Sequence, residues 1–162
     1  MMKSLFLSAA LAGSLLIAGC MAKEAPQVTY TTIKGKTIEP NDYQGDVMLV
    51  NFWATSCTTC VKEMPEIVDT YNKYKDQGFR TVAVAMSYDR PDYVVNFAET
   101  RQLPFDVALD VNGEIARAFD DVKITPTTYI INRKGDIIKT YVGEPDFPAL
   151  HQLIEQSLAE KS

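Results

Sequence analysis

A chain of 162 residues, 46% of them apolar and 23% charged, is long enough for one compact domain with a substantial core. Its 16 basic and 21 acidic residues leave a formal net charge of −5, which excludes the strongly basic surface of a nucleic-acid partner. Three cysteines and one histidine leave little material for a four-ligand metal site.

Lys3 precedes an apolar run from Leu5 to Ala18 that ends in Ile17-Ala18-Gly19-Cys20. The run is short for a membrane span and suits the core of a signal peptide. It resembles the lipobox of bacterial lipoproteins, in which cleavage falls before the cysteine and that cysteine carries lipid. Residues 1–19 are therefore expected to be a lipoprotein signal peptide, Cys20 the lipidated residue, and residues 20–27 an anchor and short tether. Lipidating Cys20 leaves one pair among the three cysteines, and a diacyl or triacyl group supplies the two or more chains that stable attachment requires. An ordinary cleaved signal, or an uncleaved anchor with Cys20 incidental, is the alternative. Export would hold the protein in the cell envelope, facing the periplasm or the cell exterior, where disulfides form. In lipoproteins of this kind an Asp after the cysteine signals inner-membrane retention; Met21 stands there instead and leans toward the outer membrane.

Residues 28–162 are expected to form the folded domain. Val28 to Ile38 alternates around Lys34-Gly35-Lys36, a hairpin pattern, and a turn through Pro40 to Gly45 leads to an apolar strand over 47–52. That strand lacks a polar face, as expected when both faces of a sheet are covered. A helix over Thr58–Tyr74 follows, with Met64, Ile67, Val68 and Tyr71 as its apolar stripe and Pro65 as an internal kink. Next come a strand over Phe79–Met86, a helix over Pro91–Arg101, a strand over Phe105–Leu109 and a short helix near Ile115–Phe119. Thr127–Asn132 and Ile137–Tyr141 read as an antiparallel hairpin through Arg133-Lys134-Gly135-Asp136. A last helix over Phe147–Glu160 points Leu150, Leu153, Ile154 and Leu158 inward. Strands alternating with helices, then a hairpin and a helix, predict an α/β domain with a mixed sheet covered on both faces.

Cys57 and Cys60 stand at C-x-x-C spacing between the strand at 47–52 and the helix that follows. A cysteine at the first turn of a helix lies where unpaired N–H groups and the macrodipole favour negative charge, hence the thiolate that attacks disulfides. The second cysteine, one turn on, can close a small ring with the first. Such a bond constrains too little chain to be chiefly structural. Half of a zinc site is the rival, but only Cys20 and His151 remain as ligands, and neither has ligand spacing. No metal and no cofactor is expected beyond the dithiol itself. His151 is read as a surface or half-buried residue of the last helix.

Phe52-Trp53-Ala54 before the dithiol, Glu63-Met64-Pro65 after it, Thr125-Pro126-Thr127-Thr128-Tyr129 and Asn132-Arg133-Lys134-Gly135-Asp136 together resemble the thioredoxin superfamily. More narrowly, the chain resembles the TlpA/ResA-type membrane-anchored thiol–disulfide oxidoreductases over roughly residues 28–160. The resemblance implies a thioredoxin-like fold with an N-terminal hairpin and a central strand–helix insertion at about 105–119. It implies Cys57 as nucleophile, Cys60 as resolving cysteine, Glu63 as an aid to proton movement, and a cis peptide at Thr125–Pro126 that pairs with an extended substrate. Trp53 would pack beneath the site, while Ser56, Thr58 and Thr59 would tune the first cysteine. The chain departs from thioredoxin at Ser56, where that family carries Trp, at Asn51, where it carries a buried acid, and at Thr58-Thr59, where it carries Gly-Pro.

The expected function is reduction of disulfides in extracytoplasmic proteins, with electrons drawn from a membrane thiol donor. Potentials of C-x-x-C proteins span about −270 to −120 mV, so direction is separate from chemistry. A peroxiredoxin-type thiol peroxidase and a Cu(I) chaperone are the alternatives. Against the first, Thr55 is one residue out of place for the peroxidase motif; against the second, the spacing is C-x-x-C and the single His lies in the last helix.

Overall fold

The computed structural model describes residues 23–160, so the expectations for residues 1–19 and for Cys20 lie outside the described residues. The elements in chain order are β1 (Lys23–Glu24), β2 (Tyr30–Thr31), β3 (Thr37–Ile38), β4 (Val47–Trp53), α1 (Thr58–Tyr74), β5 (Phe79–Ala85), α2 (Pro91–Thr100), β6 (Asp106–Leu109), α3 (Glu114–Ala118), β7 (Thr127–Ile131), β8 (Asp136–Val142) and α4 (Phe147–Ala159). Among the described residues no helix is long and apolar enough to cross a membrane.

The main sheet has the order β1-β8-β7-β4-β5-β6. β4, β5 and β6 run parallel, whereas β7 runs antiparallel to both β4 and β8. β4 is buried along its whole length, and alternation along it sorts two cores. Val47, Leu49 and Trp53 meet Met64 and Ile67 of α1, Val94 of α2, and Leu150 and Ile154 of α4. Met48, Val50 and Phe52 meet Tyr30, Ile38, Ile115 and Phe119 on the other face. The expected mixed sheet with both faces covered is thus the observed one. β2 and β3 pair around Gly35 (φ 73°), as the Lys34-Gly35-Lys36 turn predicts, and Thr32 bridges to Ala108 so that the hairpin lies against β6.

The tether expected over residues 20–27 is corrected in its described part. Lys23 and Glu24 form an edge strand against Ile137 and Asp136, the Ala25 amide donates to the Gly135 carbonyl at 2.8 Å, and Ala25 is buried. Two paired residues are too few to show as a strand by periodicity; the β8 edge supplies the hydrogen bonds that recruit them.

α1 begins where expected because Cys57 caps it, and its Cys60-Glu63-Met64-Ile67-Thr70-Tyr74 stripe recurs every three or four residues toward the sheet. The helix runs through Pro65 and leads by a 3₁₀ turn to Gly78, whose φ of 82° suits glycine. A Cβ at Gly78 would stand 2.8 Å from Arg133 Nη1. Arg133, expected only as part of a turn, donates to the carbonyls of Gly45, Gln77 and Leu158 at 2.9, 3.0 and 3.2 Å. It ties the β7–β8 turn to the start of β4, the end of α1 and the end of α4. His151 is half-buried on α4, 2.8 Å from the Thr70 hydroxyl of α1. Burial lowers its pKa, because the imidazolium would lose solvation.

Candidate active site

β4 ends at Trp53, and four residues later Cys57 opens α1. The Ala54 carbonyl accepts from the Cys57 amide at 3.1 Å, closing the turn that delivers the cysteine to the helix start. Cys57 and Cys60 form a disulfide with their Cα atoms 5.2 Å apart. Cys57 is half-buried and Cys60 fully buried, so an incoming group meets Cys57 first. The Cys60 amide donates to Cys57 Sγ at 3.2 Å, an instance of the helix start turning its free N–H groups toward sulfur. Ser56, Thr58 and Thr59 are exposed around the dithiol. Trp53 is fully buried, packs on Phe97 at a centroid distance of 5.1 Å, and leaves its Nε1–H without a partner among the described residues.

Glu63 lies on the same buried face of α1 as Cys60, one turn deeper into the core. The solvated helix glutamate is therefore not what forms. Asn51 Nδ2 donates to Glu63 Oε1 and to Thr128 Oγ1, each at 3.0 Å, so β4, β7 and α1 meet at one buried polar node. Asn51 faces Thr128 across the β4–β7 ladder, which explains the link. Glu63 Oε2 and Asn51 Oδ1 have no partner among the described residues. Burial drives the Glu63 carboxyl upward, the Asn51 bond opposes it, and the negative charge of Glu144 adds to the rise; the pKa is pushed up to about 7. A carboxyl that titrates near neutrality can take up or release a proton near neutral pH.

The Thr125–Pro126 peptide is cis. β7 begins at Thr127 opposite Phe52 of β4 and Val142 of β8, so Pro126 lies at the same end of the sheet as the dithiol. Thr125 is half-buried and Pro126 buried. Three segments that sequence reasoning passed over complete the rim. Tyr88, Ile124 and Val142 are exposed by 60, 62 and 65%, an apolar border on three separate loops and strand ends. In the loop after β5, both Asp89 carboxylate oxygens accept from Thr55, from its amide at 2.5 Å and its hydroxyl at 2.7 Å. No periodic signal marks these residues, although loops at the carboxyl ends of parallel strands are where α/β sheets gather their sites. Among the described residues, no three His, Cys, Asp or Glu side chains cluster as metal ligands would.

Thiol–disulfide exchange needs an accessible sulfur and a second sulfur within reach, and this arrangement holds both. The AhpC/TSA family matches residues 21–140 of the chain. Thiol-disulfide oxidoreductase ResA of Bacillus thuringiensis subsp. konkukian is 35% identical over 137 residues, covering 84% of this chain and 78% of the relative. ResA of Bacillus subtilis is 34% identical over 128 residues, covering 79% and 70%. The solution structure of a candidate thioredoxin from Neisseria meningitidis superposes with a TM-score of 0.78 at 42% identity, over 84% of this chain and 90% of that one. StoA from Bacillus subtilis superposes with a TM-score of 0.67 at 27% identity, over 77% and 93%. The fold is thioredoxin-like, and the redox group is the Cys57–Cys60 pair itself. The chain belongs to the AhpC/TSA family and, with its ResA relatives, is a thiol–disulfide oxidoreductase.

Proposed function

We propose that the protein is a lipid-anchored, extracytoplasmic reductase of protein disulfides, fed with electrons by a membrane thiol donor. The observation that carries the reading is the asymmetry of the pair, with Cys57 half-exposed at the cap of α1 and Cys60 buried beside it. In the reduced protein the Cys57 thiolate attacks one sulfur of a client disulfide, and the other client sulfur leaves as a thiolate and takes up a proton. Cys60 loses its proton and attacks Cys57 Sγ, releasing the second client thiol and closing the Cys57–Cys60 bond. Two electrons and two protons pass to the client, and a donor dithiol then reverses the exchange.

Glu63 accepts the Cys60 proton in this scheme, a role supported by its place on the same buried face and its neutral-range pKa. The Thr125–Pro126 segment receives the client backbone as an added strand, and Tyr88, Ile124 and Val142 receive apolar residues beside the client cysteine. Trp53 packs beneath the dithiol, while Ser56, Thr58 and Thr59 modulate Cys57 at the helix start. Cys20 carries the lipid, in the outer membrane or on the cell exterior, and residues 1–19 are removed.

The reduction potential of the Cys57–Cys60 pair tests direction, measured on the whole protein in detergent against glutathione or dithiothreitol buffers. A value near −270 mV fits a reductase, and one near −120 mV makes the protein an oxidant or isomerase. Cys60→Ser should trap mixed disulfides with clients from the envelope, and Cys20→Ala should release the protein from the membrane fraction. Rapid peroxide consumption with sulfenic acid at Cys57, or tight Cu(I) binding lost in Cys57→Ser, would replace the reductase reading.

A further inference from the structure

Asp89 stands outside the dithiol motif, and its contacts converge on it. It sits in the loop that leaves β5, where its own amide donates to the Met86 carbonyl at 2.9 Å and the Met86 amide donates to the Trp53 carbonyl at 3.0 Å. The loop is therefore fastened to the end of β4 before Asp89 reaches across. Its two carboxylate oxygens take both hydrogen-bond donors of Thr55, two residues before Cys57. Thr55 lies within the turn that the Ala54 carbonyl and the Cys57 amide close at 3.1 Å. One residue earlier in the same loop, the Tyr88 hydroxyl lies 3.3 Å from Thr125 Oγ1, beside the cis proline. A single loop thus touches both sides of the opening in which Cys57 stands.

We infer that Asp89 is a positioning residue of the redox reaction, holding the Ala54–Cys57 turn and setting a fixed negative charge beside the thiol. The two effects oppose each other chemically. The clamp keeps Cys57 at the cap of α1, where the helix start favours the thiolate, while the carboxylate charge disfavours a second negative charge nearby. Asp89 therefore restrains the acidity of Cys57 and biases the pair toward the disulfide, since stabilising the thiolate stabilises the reduced form. Glu66 and Asp69 stand exposed farther along α1, whereas the charged groups next to the dithiol on α1 and next to Asp89 in its loop are paired or buried. Lys62 of α1 pairs with Glu144 at 2.9 Å, Arg90 pairs with Asp92 at 2.8 Å, and Glu63 lies in the core. Asp89 is spent on Thr55 by hydrogen bonds alone, so its charge has no cation bound to it among the described salt bridges.

Asp89→Asn separates the two effects. Its amide oxygen can accept from the Thr55 amide, and its NH₂ can donate to the Thr55 hydroxyl, which accepts as well as it donates. The clamp is kept and the charge is lost. The experiment is the pH dependence of iodoacetamide alkylation of Cys57 in the whole reduced protein, for the wild type, Asp89→Asn, Asp89→Ala and the distant charge control Asp76→Asn. In Asp89→Asn the midpoint should move to lower pH, corresponding to a thiol roughly threefold to tenfold more acidic. Its rate of exchange with a model disulfide at high pH, where the thiol is fully ionised, should fall only by the roughly twofold to threefold that a less basic thiolate loses, whereas Asp89→Ala, which loses the clamp as well, should be slower still. An unchanged midpoint in Asp89→Asn, an equal shift in Asp76→Asn, or a high-pH rate in Asp89→Asn as low as in Asp89→Ala would each overturn the assignment. Should Asp89→Ala fail to fold, the midpoint comparison of the other three proteins still decides.

Discussion

Replacing Glu63 by Gln should remove a pH-dependent cost that the native protein carries in its core. The carboxyl has an ordinary pKa of 4.5 in the unfolded chain and about 7 in the folded one. Between these values the folded state holds a proton that the unfolded state has released, so Glu63 favours folding most at low pH. That advantage fades as pH rises through about 7, and above it the buried carboxylate costs a constant amount. Each pH unit of difference is worth about 1.4 kcal/mol, so the full swing is on the order of 3 kcal/mol. Gln keeps the acceptor for Asn51 Nδ2 and cannot ionise. Its NH₂ group takes the place of an oxygen that has no partner among the described residues, which adds an offset of about 1–3 kcal/mol that does not vary with pH. Urea unfolding of the oxidised protein and of Glu63→Gln, from about pH 4 to pH 8.5, separates the two contributions. The stability of Glu63→Gln relative to the wild type should rise by about 3 kcal/mol across that range, most of it between about pH 4.5 and pH 7. A difference that stays flat with pH would refute both the raised pKa and the proton-acceptor role built on it.

Gly78→Ala should destabilise the protein by roughly 1–3 kcal/mol, because it forces a left-handed backbone and drives a methyl group onto Arg133, and thermal unfolding would register it. An unchanged melting temperature would mean that Arg133 is free to move away. Asp146 caps α4 by accepting from the Ala149 amide at 2.9 Å, so Asp146→Ala should cost about 1 kcal/mol in urea unfolding and Asp146→Asn much less.

Local order was legible before tertiary structure. The bounds of α1, Thr58–Tyr74, follow from a capping cysteine, a three-or-four-residue apolar repeat and Gly78 beyond, all of them interactions within one segment. The hairpin at Arg133–Asp136, the largely apolar β4 and the strand–helix alternation likewise depend on neighbours in the chain. The dithiol was visible for the same reason, since its two sulfurs are three residues apart. The N-terminal edge strand was not visible, because Lys23 and Glu24 become a strand only by borrowing the edge of β8.

Sequence alone determined the order of the elements from the first hairpin onward and the kind of chemistry that Cys57 and Cys60 perform. Only the tertiary structure decided the surroundings that set its terms. Glu63 could have been a solvated helix residue until β4 and β7 closed over it, and its proton affinity comes from that burial. Asp89 lies 34 residues from Thr55, and Thr128 lies 77 from Asn51. Desolvation and hydrogen bonding act over a few ångströms of space, and at such separations only the closed fold determines which residues are that near.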